Sequence, residues 1–248
     1  MKLIQGLLLG FAITSVQADE NEWRPPFITT PPEVVERMLA IAGTRAEDLV
    51  IDLGSGDGRI VIAAAQKFGA RGLGIELDAA LVQKSRENVR AARVEGKVSV
   101  VQGDVLAADI SKATVVTVYL LPALMAKLQA RFIDELAPGT RIVSHAFGMA
   151  GWAPDRSETV KLEARHPGQG DESRLHLWVV PANVRGVWHG PGMQVRIEQN
   201  YQRIEVQGAG RATLSGREIA WDGFRGRVEG NRIVGELAGR PVELIRSR

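Results

Sequence analysis

"VIDLGSGDGRI", residues 50–60, decides how the chain is read. An apolar run carrying Asp52 ends in glycines at 54, 56 and 58, and Arg59 onward has the composition of a helix. Glycines after a strand expose backbone N–H groups and let a ligand come closer than any Cβ permits. The stretch therefore predicts a strand, a ligand-binding turn and a helix.

The same alternation continues on the C-terminal side. "DLVIDL" (48–53) is followed by a helix over 59–68, "RGLGIEL" (71–77) by a helix from Asp78 to about Val94, and then come "KVSVVQ" (97–102) and "ATVVTVYL" (113–120). A helix over 122–136, with Leu124, Leu128, Phe132 and Leu136 on one stripe, precedes "TRIVSHAF" (140–147). Val- and Ile-rich strands alternating with helices predict a parallel sheet covered on both faces. "SETVKLEA" (157–164) and "RLHLWVVP" (174–181) have only a turn-rich link between them and predict an antiparallel hairpin at the sheet's end. The fold class is α/β: a seven-stranded Rossmann-like sheet, six strands parallel and one antiparallel. Beyond Pro181 the helical period disappears, and Gly-punctuated runs predict a small antiparallel β domain over 184–248.

Upstream, Thr30-Pro31-Pro32-Glu33 has the form of a capping box with proline in the first turn, so a helix is expected to start there and stop at Gly43. Residues 1–18, "MKLIQGLLLGFAITSVQA", combine a basic start, an apolar core and a small-residue cleavage pattern, which reads as a secretory signal peptide. The expected division is thus signal peptide 1–18, α/β domain 19–181 and β domain 184–248.

A chain of 248 residues, 45% apolar with a net charge of +2, holds one full α/β domain and a small companion. The charge gives no nucleic-acid signal. With no cysteine there are no disulfides and no thiolate metal sites. The four histidines, at 145, 166, 176 and 189, lack ligand spacing, so no metal is expected. Ser144 and His145 are strand neighbours that point to opposite faces and cannot serve each other as nucleophile and base. Trp178, Trp188 and Trp221 read as core. From Pro181 on there are eleven arginines against seven acidic residues and no lysine, a surface suited to carboxylate or phosphate groups of a partner protein or an anionic envelope surface.

Three ligands commonly use such a glycine turn. A P-loop needs Lys-Ser or Lys-Thr after its last glycine, where this chain has Arg59-Ile60. A dinucleotide fingerprint needs glycine where Arg59 stands, which makes NAD a distant second. The remaining pattern is acidic-x-Gly-x-Gly-x-Gly, filled by Asp52, Gly54, Gly56 and Gly58. It resembles motif I of the class I S-adenosylmethionine-dependent methyltransferases. Glu76 ends the next strand, where a carboxylate can accept both ribose hydroxyls. Asp104, with Val105 beside it, follows the third strand, where that family has an acidic contact to the adenine amino group.

"PPFITTPPEVVERML", "DLGSGDGRIVIAAA", "GIELDAALV", "GDVLAADISKATVVTVYLLP" and "ELAPGTRIVSHAF" together resemble the small class I protein-lysine methyltransferases typified by the enzymes that modify the ATP synthase c subunit and the adenine nucleotide carrier. The resemblance covers about residues 25–155. It implies S-adenosylmethionine as cofactor, a protein or small amine as acceptor, and a strap over the cofactor formed by Pro26, Phe27, Thr30 and Pro31. After strand four the chain has Tyr119-Leu120-Leu121-Pro122 in place of the Asn/Asp-Pro-Pro-aromatic clamp for planar nitrogens, which leaves an sp³ amine open and makes Tyr119 the residue expected to line the methyl pocket. The signal peptide implies an exported, periplasmic or membrane-associated protein, or a cytoplasmic one if the true start lies downstream. Export and a cytosolic cofactor conflict, which keeps an alternative open: a non-catalytic exported binding module on a methyltransferase fold.

Overall fold

The computed structural model describes residues 28–167 and 170–247. The signal-peptide segment and strap residues Pro26 and Phe27 lie outside the described residues.

In chain order the first half runs α1 (Pro32–Ile41), β1 (Leu49–Leu53), α2 (Arg59–Phe68), β2 (Arg71–Glu76), α3 (Ala79–Ala91), β3 (Val98–Gln102), β4 (Val115–Val118), α4 (Pro122–Glu135), β5 (Arg141–His145), β6 (Arg156–His166) and β7 (Gly170–Val179). The seven strands form one sheet in the order β3-β2-β1-β4-β5-β7-β6. Six share a direction and β7 runs against both β5 and β6. The order reverses between β1 and β4, and open α/β sheets bind ligands at the carboxyl ends of strands beside such a reversal.

Strand alternation sorts the core into two layers. Val50 and Val115 face α1 and α2, while Ile51, Leu53, Val116 and Val118 face α4, whose Met125, Leu128 and Phe132 are buried. Each such side chain contributes roughly 1.5–3 kcal/mol of apolar burial. Asp52 and Thr117 lie on the α1/α2 side of directly paired positions.

The start of α1 departs from the expected capping box. Pro31 is the N-cap residue and no side chain caps the helix. Thr30 Oγ1 instead lies 3.2 Å from His145 Nδ1, and Glu33 Oε1 accepts from the backbone N–H of Glu163. Pro31 and Pro32 carry no N–H, so the turn has fewer donors to satisfy, and the tertiary partners take the two side chains. The stop at Gly43 forms as expected, with φ +61°.

The second half comprises β8 (Gly186–Gly190), β9 (Met193–Asn200), β10 (Arg203–Val206), β11 (Thr213–Ser215), β12 (Glu218–Trp221), β13 (Phe224–Glu229), β14 (Arg232–Leu237) and β15 (Arg240–Arg246). All pairings are antiparallel, in the order β10-β9-β8-β15-β14-β13-β12-β11. Its two edges, β10 and β11, approach each other, so the sheet curls into a nearly closed barrel. Trp188, Ile197, Phe224, Ile233 and Leu244 fill its interior, as side chains fill small barrels generally. Trp178, Trp188 and Trp221 are all buried, as core residues should be. On the outer face Arg227 pairs with Glu218, Arg232 with Glu229 and Glu243, and Arg185 with Glu198, so part of the arginine excess is neutralised locally.

One aromatic residue joins the two halves. Tyr201, in the β9–β10 turn with φ +54°, stacks on Trp152 at 5.0 Å and 5°, and its hydroxyl accepts from Gln129 Nε2 of α4 (2.9 Å). Nearby, Gln202 Nε2 donates to the Ala153 carbonyl at 2.6 Å. Replacing Tyr201 with Ala is expected to cost about 2–4 kcal/mol of stability by removing a packed ring. Tyr201→Phe, which keeps the stack, should cost about 1 kcal/mol. Thermal melts in which Y201A matches the wild type would contradict this joint.

Candidate functional site

The glycine turn is stitched to β2. Gly54 and Ser55 donate their backbone N–H groups to the Ile75 carbonyl (2.9 and 3.0 Å), and Gly56 donates to Glu76 Oε2 at 2.8 Å. Gly54, Gly56 and Gly58 have φ of +79°, +53° and +81°, which residues with a Cβ rarely adopt. A Cβ on Gly54 would also sit 2.9 Å from Leu120 Cδ2, and one on Gly58 2.2 Å from Ser85 Oγ. The turn is therefore fixed before any ligand arrives.

Three carboxylates mark the carboxyl ends of β1, β2 and β3. Asp52 is buried and accepts from Thr117 Oγ1 at 2.7 Å. Burial pushes its pKa up to about 7; the Thr117 hydrogen bond opposes this, and the charges of Glu76 and Asp57 add to it. Glu76 accepts from Gly56 on one oxygen and from the Asp78 N–H on the other (2.9 Å). Each oxygen has a second lone pair for a ligand hydroxyl. Asp104 is exposed, with Oδ1 taken by the Leu106 N–H at 2.8 Å. Beside it Val105 is buried, and its carbonyl accepts from Arg131 Nη1 (2.8 Å). Leu77, next to Glu76, is 57% exposed, an apolar surface at the same edge. Acceptors on neighbouring strand tips, a close-approach glycine turn and an open apolar side chain fit an adenosine-bearing cofactor.

Arg59 links this turn to the strap. Its guanidinium holds Asp57 through Nε (2.9 Å) and Nη2 (2.5 Å), and its Nη1 donates to the Thr30 carbonyl (2.9 Å). Burial would raise the Asp57 pKa, but the Arg59 contacts outweigh it and hold the carboxyl below its ordinary range.

A cluster of rings lies on the other side of the strap. Tyr119 follows β4 directly; its ring centroid is 4.1 Å from His145, 6.2 Å from Phe147 and 6.1 Å from His166. His145, at the end of β5, is fully buried between Thr30 Oγ1 and Ser173 Oγ (3.0 Å from Nε2). Ala146 adopts φ +70°, a strained conformation for a residue with a Cβ, at the bend between His145 and the Phe147 ring. Ser144 turns the opposite way, as its strand position requires, and donates to the Phe147 carbonyl. His166, ending β6, donates from Nε2 to the Thr29 carbonyl at 2.9 Å, while its buried Nδ1 has no hydrogen-bond partner. A buried acceptor left unsatisfied costs roughly 1–3 kcal/mol.

The structure thus gathers Asp52, Gly54, Gly56, Gly58 and Glu76 at one turn, with Asp104 and Val105 after the neighbouring strand. Tyr119 and Thr30 meet at the ring cluster. Sequence reasoning misses Thr117, Arg59, His145 and His166. The signal for Thr117 is a polar residue in an otherwise apolar strand. His145 and His166 come together because β7 inserts between their strands, which spacing does not reveal. Among the described residues no group of three or more His, Cys, Asp or Glu is arranged to hold a metal ion.

Comparison with known proteins agrees with this geometry. Residues 52–156 match the ANTKMT methyltransferase domain family. A protein-lysine N-methyltransferase of Saccharolobus islandicus is 42% identical over 139 residues, covering 56% of this chain and 85% of that protein. The adenine nucleotide translocase lysine N-methyltransferase of Mus musculus is 33% identical over 129 residues, but the match covers only 52% of this chain and 56% of that protein. The crystal structure of a Salinibacter ruber protein described as an RNA methyltransferase, in complex with S-adenosyl-L-homocysteine, is 48% identical, covering 63% of this chain and 96% of that one with a TM-score of 0.57.

Two measurements test the site. Glu76→Ala should weaken S-adenosylmethionine binding by about 1.5–3 kcal/mol, the range for hydrogen bonds to a charged acceptor, and calorimetry with unchanged affinity would remove Glu76 from the site. Asp52 provides the pH test. Its folded pKa is raised to about 7, so its favourable contribution is complete below the unfolded carboxylate range and is lost as pH rises through about 7. The ligand-free wild type should lose about 2 kcal/mol relative to Asp52→Asn between pH 5 and pH 8. Parallel stability curves for the two proteins across that range would refute the shift.

Proposed function

The chain belongs to the class I S-adenosylmethionine-dependent methyltransferases, and from that premise we propose that it N-methylates a lysine side chain, or a similar amine, of a protein acceptor. The observation that carries this reading is the 42% identity extending over 85% of the Saccharolobus protein-lysine methyltransferase. The Tyr119-Leu120-Leu121-Pro122 turn supports it, since an sp³ amine needs no clamp for a planar nitrogen. The three strand-end carboxylates and the enzymatic relatives give the binding-module alternative no support.

S-adenosylmethionine, when bound, supplies an electrophilic methyl group on a sulfonium. The chain's own task is mainly orientation, which can account for several kcal/mol of a displacement barrier. Glu76 and Asp104 would hold the ribose and adenine, and the Gly54–Gly58 turn would let the rest of the cofactor lie against backbone. Tyr119, Phe147 and His145 would wall the acceptor's approach, with the strap at Thr29 and Thr30 closing it. The rings can also favour a cationic amine by cation–π attraction.

RNA is the second reading, favoured by the description of the Salinibacter relative. One experiment separates the two and addresses location. The purified full chain is incubated with methyl-labelled cofactor and with separate cytosolic and envelope extracts. The proposal expects protease-sensitive, ribonuclease-resistant label recovered as methylated lysine. Envelope proteins should carry it if residues 1–18 export the chain, the location proposed here. Ribonuclease-sensitive label would replace the protein reading with the RNA one.

A further inference from the structure

The buried Nδ1 of His166 is the feature that the cofactor site and the orientation of the rings leave without a role. His166 is 5% exposed and ends β6, a strand that contributes nothing to the glycine turn or the carboxylates. Its Nε2 faces a backbone carbonyl, that of Thr29, at 2.9 Å. A carbonyl can only accept, so the ring's N–H is on Nε2 and the neutral imidazole carries its lone pair on Nδ1. That lone pair is closed off from solvent and has no partner. The ring sits 6.1 Å from Tyr119 and 5.6 Å from His145, centroid to centroid, within the cluster where the acceptor is placed. It also lines a cleft of about 730 Å³ together with Ile28, Thr29 and Pro31 of the strap and Arg59.

An amine that reaches the site as an ammonium ion cannot attack, because its lone pair is bonded to a proton. We propose that His166 Nδ1 is the base that removes this proton, an assignment that rests on the amine-acceptor reading above. One N–H bond of the ammonium breaks, an N–H bond forms on Nδ1, and the positive charge passes to the imidazolium. The electron pair left on the amine nitrogen is the one methyl transfer consumes. The imidazolium then passes its proton to the water that replaces the departing methylated amine. The Nε2–H contact to Thr29 is kept in both protonation states, so the ring stays oriented while its charge changes. The same contact explains why a neutral ring presents Nδ1 and not Nε2 to the substrate.

The charged and titratable groups around this ring come from several elements. They are His145 at the end of β5, Tyr119 after β4, Arg59 of α2, Glu33 and Glu36 of α1, and Glu163 and Arg165 on β6 itself. A pH effect assigned to His166 therefore has to disappear on its substitution alone.

The test has two arms. In the first, the full chain labelled with ¹⁵N-histidine and saturated with S-adenosylhomocysteine is titrated with n-butylamine, the end of a lysine side chain, and followed by NMR. The His166 Nδ1 resonance should start at the unprotonated position and shift on addition, with Nε2 remaining protonated. In the second, His166→Gln keeps an amide N–H for the Thr29 carbonyl but offers no base. Its cofactor dissociation constant should stay within twofold of wild type. Its kcat on the methylated extract protein should fall about a hundredfold at pH 7, with KM little changed and the deficit shrinking as pH approaches the amine's own pKa. An Nδ1 resonance unmoved by n-butylamine overturns the assignment, as does H166Q turnover within twofold of wild type at pH 7. If the wild type methylates no lysine, the parent reading has failed, and the n-butylamine titration decides the role of His166 alone. The same titration decides it if H166Q does not fold.

Discussion

The hydrogen bond from the Gly56 N–H to Glu76 Oε2 is the constraint on which the rest of the site depends. It ties a turn with three left-handed residues to the end of the neighbouring strand, and the Gly54 and Ser55 donors to Ile75 hold the same junction. A short glycine segment left free would lose its shape to entropy. Stitched to β2, it presents a fixed edge beside the point where strand order reverses. Asp52 adds rigidity from beneath, since a buried carboxyl tied to Thr117 keeps β1 and β4 in register at their carboxyl ends.

The ring cluster is built differently, from segments far apart in sequence that meet through the strap. Thr29 and Thr30 receive contacts from His166, His145 and Arg59, which come from β6, β5 and α2. Arg59 is itself held by Asp57 in the glycine turn. Turn and strap are thus mechanically joined through one guanidinium, and a shift of either is felt at the other. The β domain bears on the same region from outside. Tyr201 packs on Trp152 and bonds to α4, fixing the connector that begins with Phe147 and ends at β6.

Much of this is legible in the sequence, for physical reasons. The parallel sheet, the positions of α2 and α4 and the all-β second half follow from apolar period and glycine placement, which local sterics enforce. The acids Asp52, Glu76 and Asp104 are readable because each lies in or just after an apolar run that ends at the same edge. The ring cluster is not. His145 and His166 are brought to 5.6 Å by the insertion of β7 between β5 and β6, a choice made by sheet packing. Thr30 reads as a helix cap because local chemistry permits that role, while in the fold a buried imidazole competes for the same hydroxyl. Tyr201 gives no signal in its own segment, since its partners, Trp152 and Gln129, belong to the other sheet's layer.

The central claim is that the glycine turn and the ring cluster are two walls of one site, with the reacting methyl between them. The direct measurement is a nuclear Overhauser experiment on the full chain with ¹³C-methyl S-adenosylmethionine. The account predicts contacts from the labelled methyl to the ring protons of Tyr119 and to the Gly54–Gly58 turn together. Contacts confined to the turn with none to Tyr119, or contacts to the groove of about 480 Å³ beside Trp221 and Arg225 in the β domain, would contradict it.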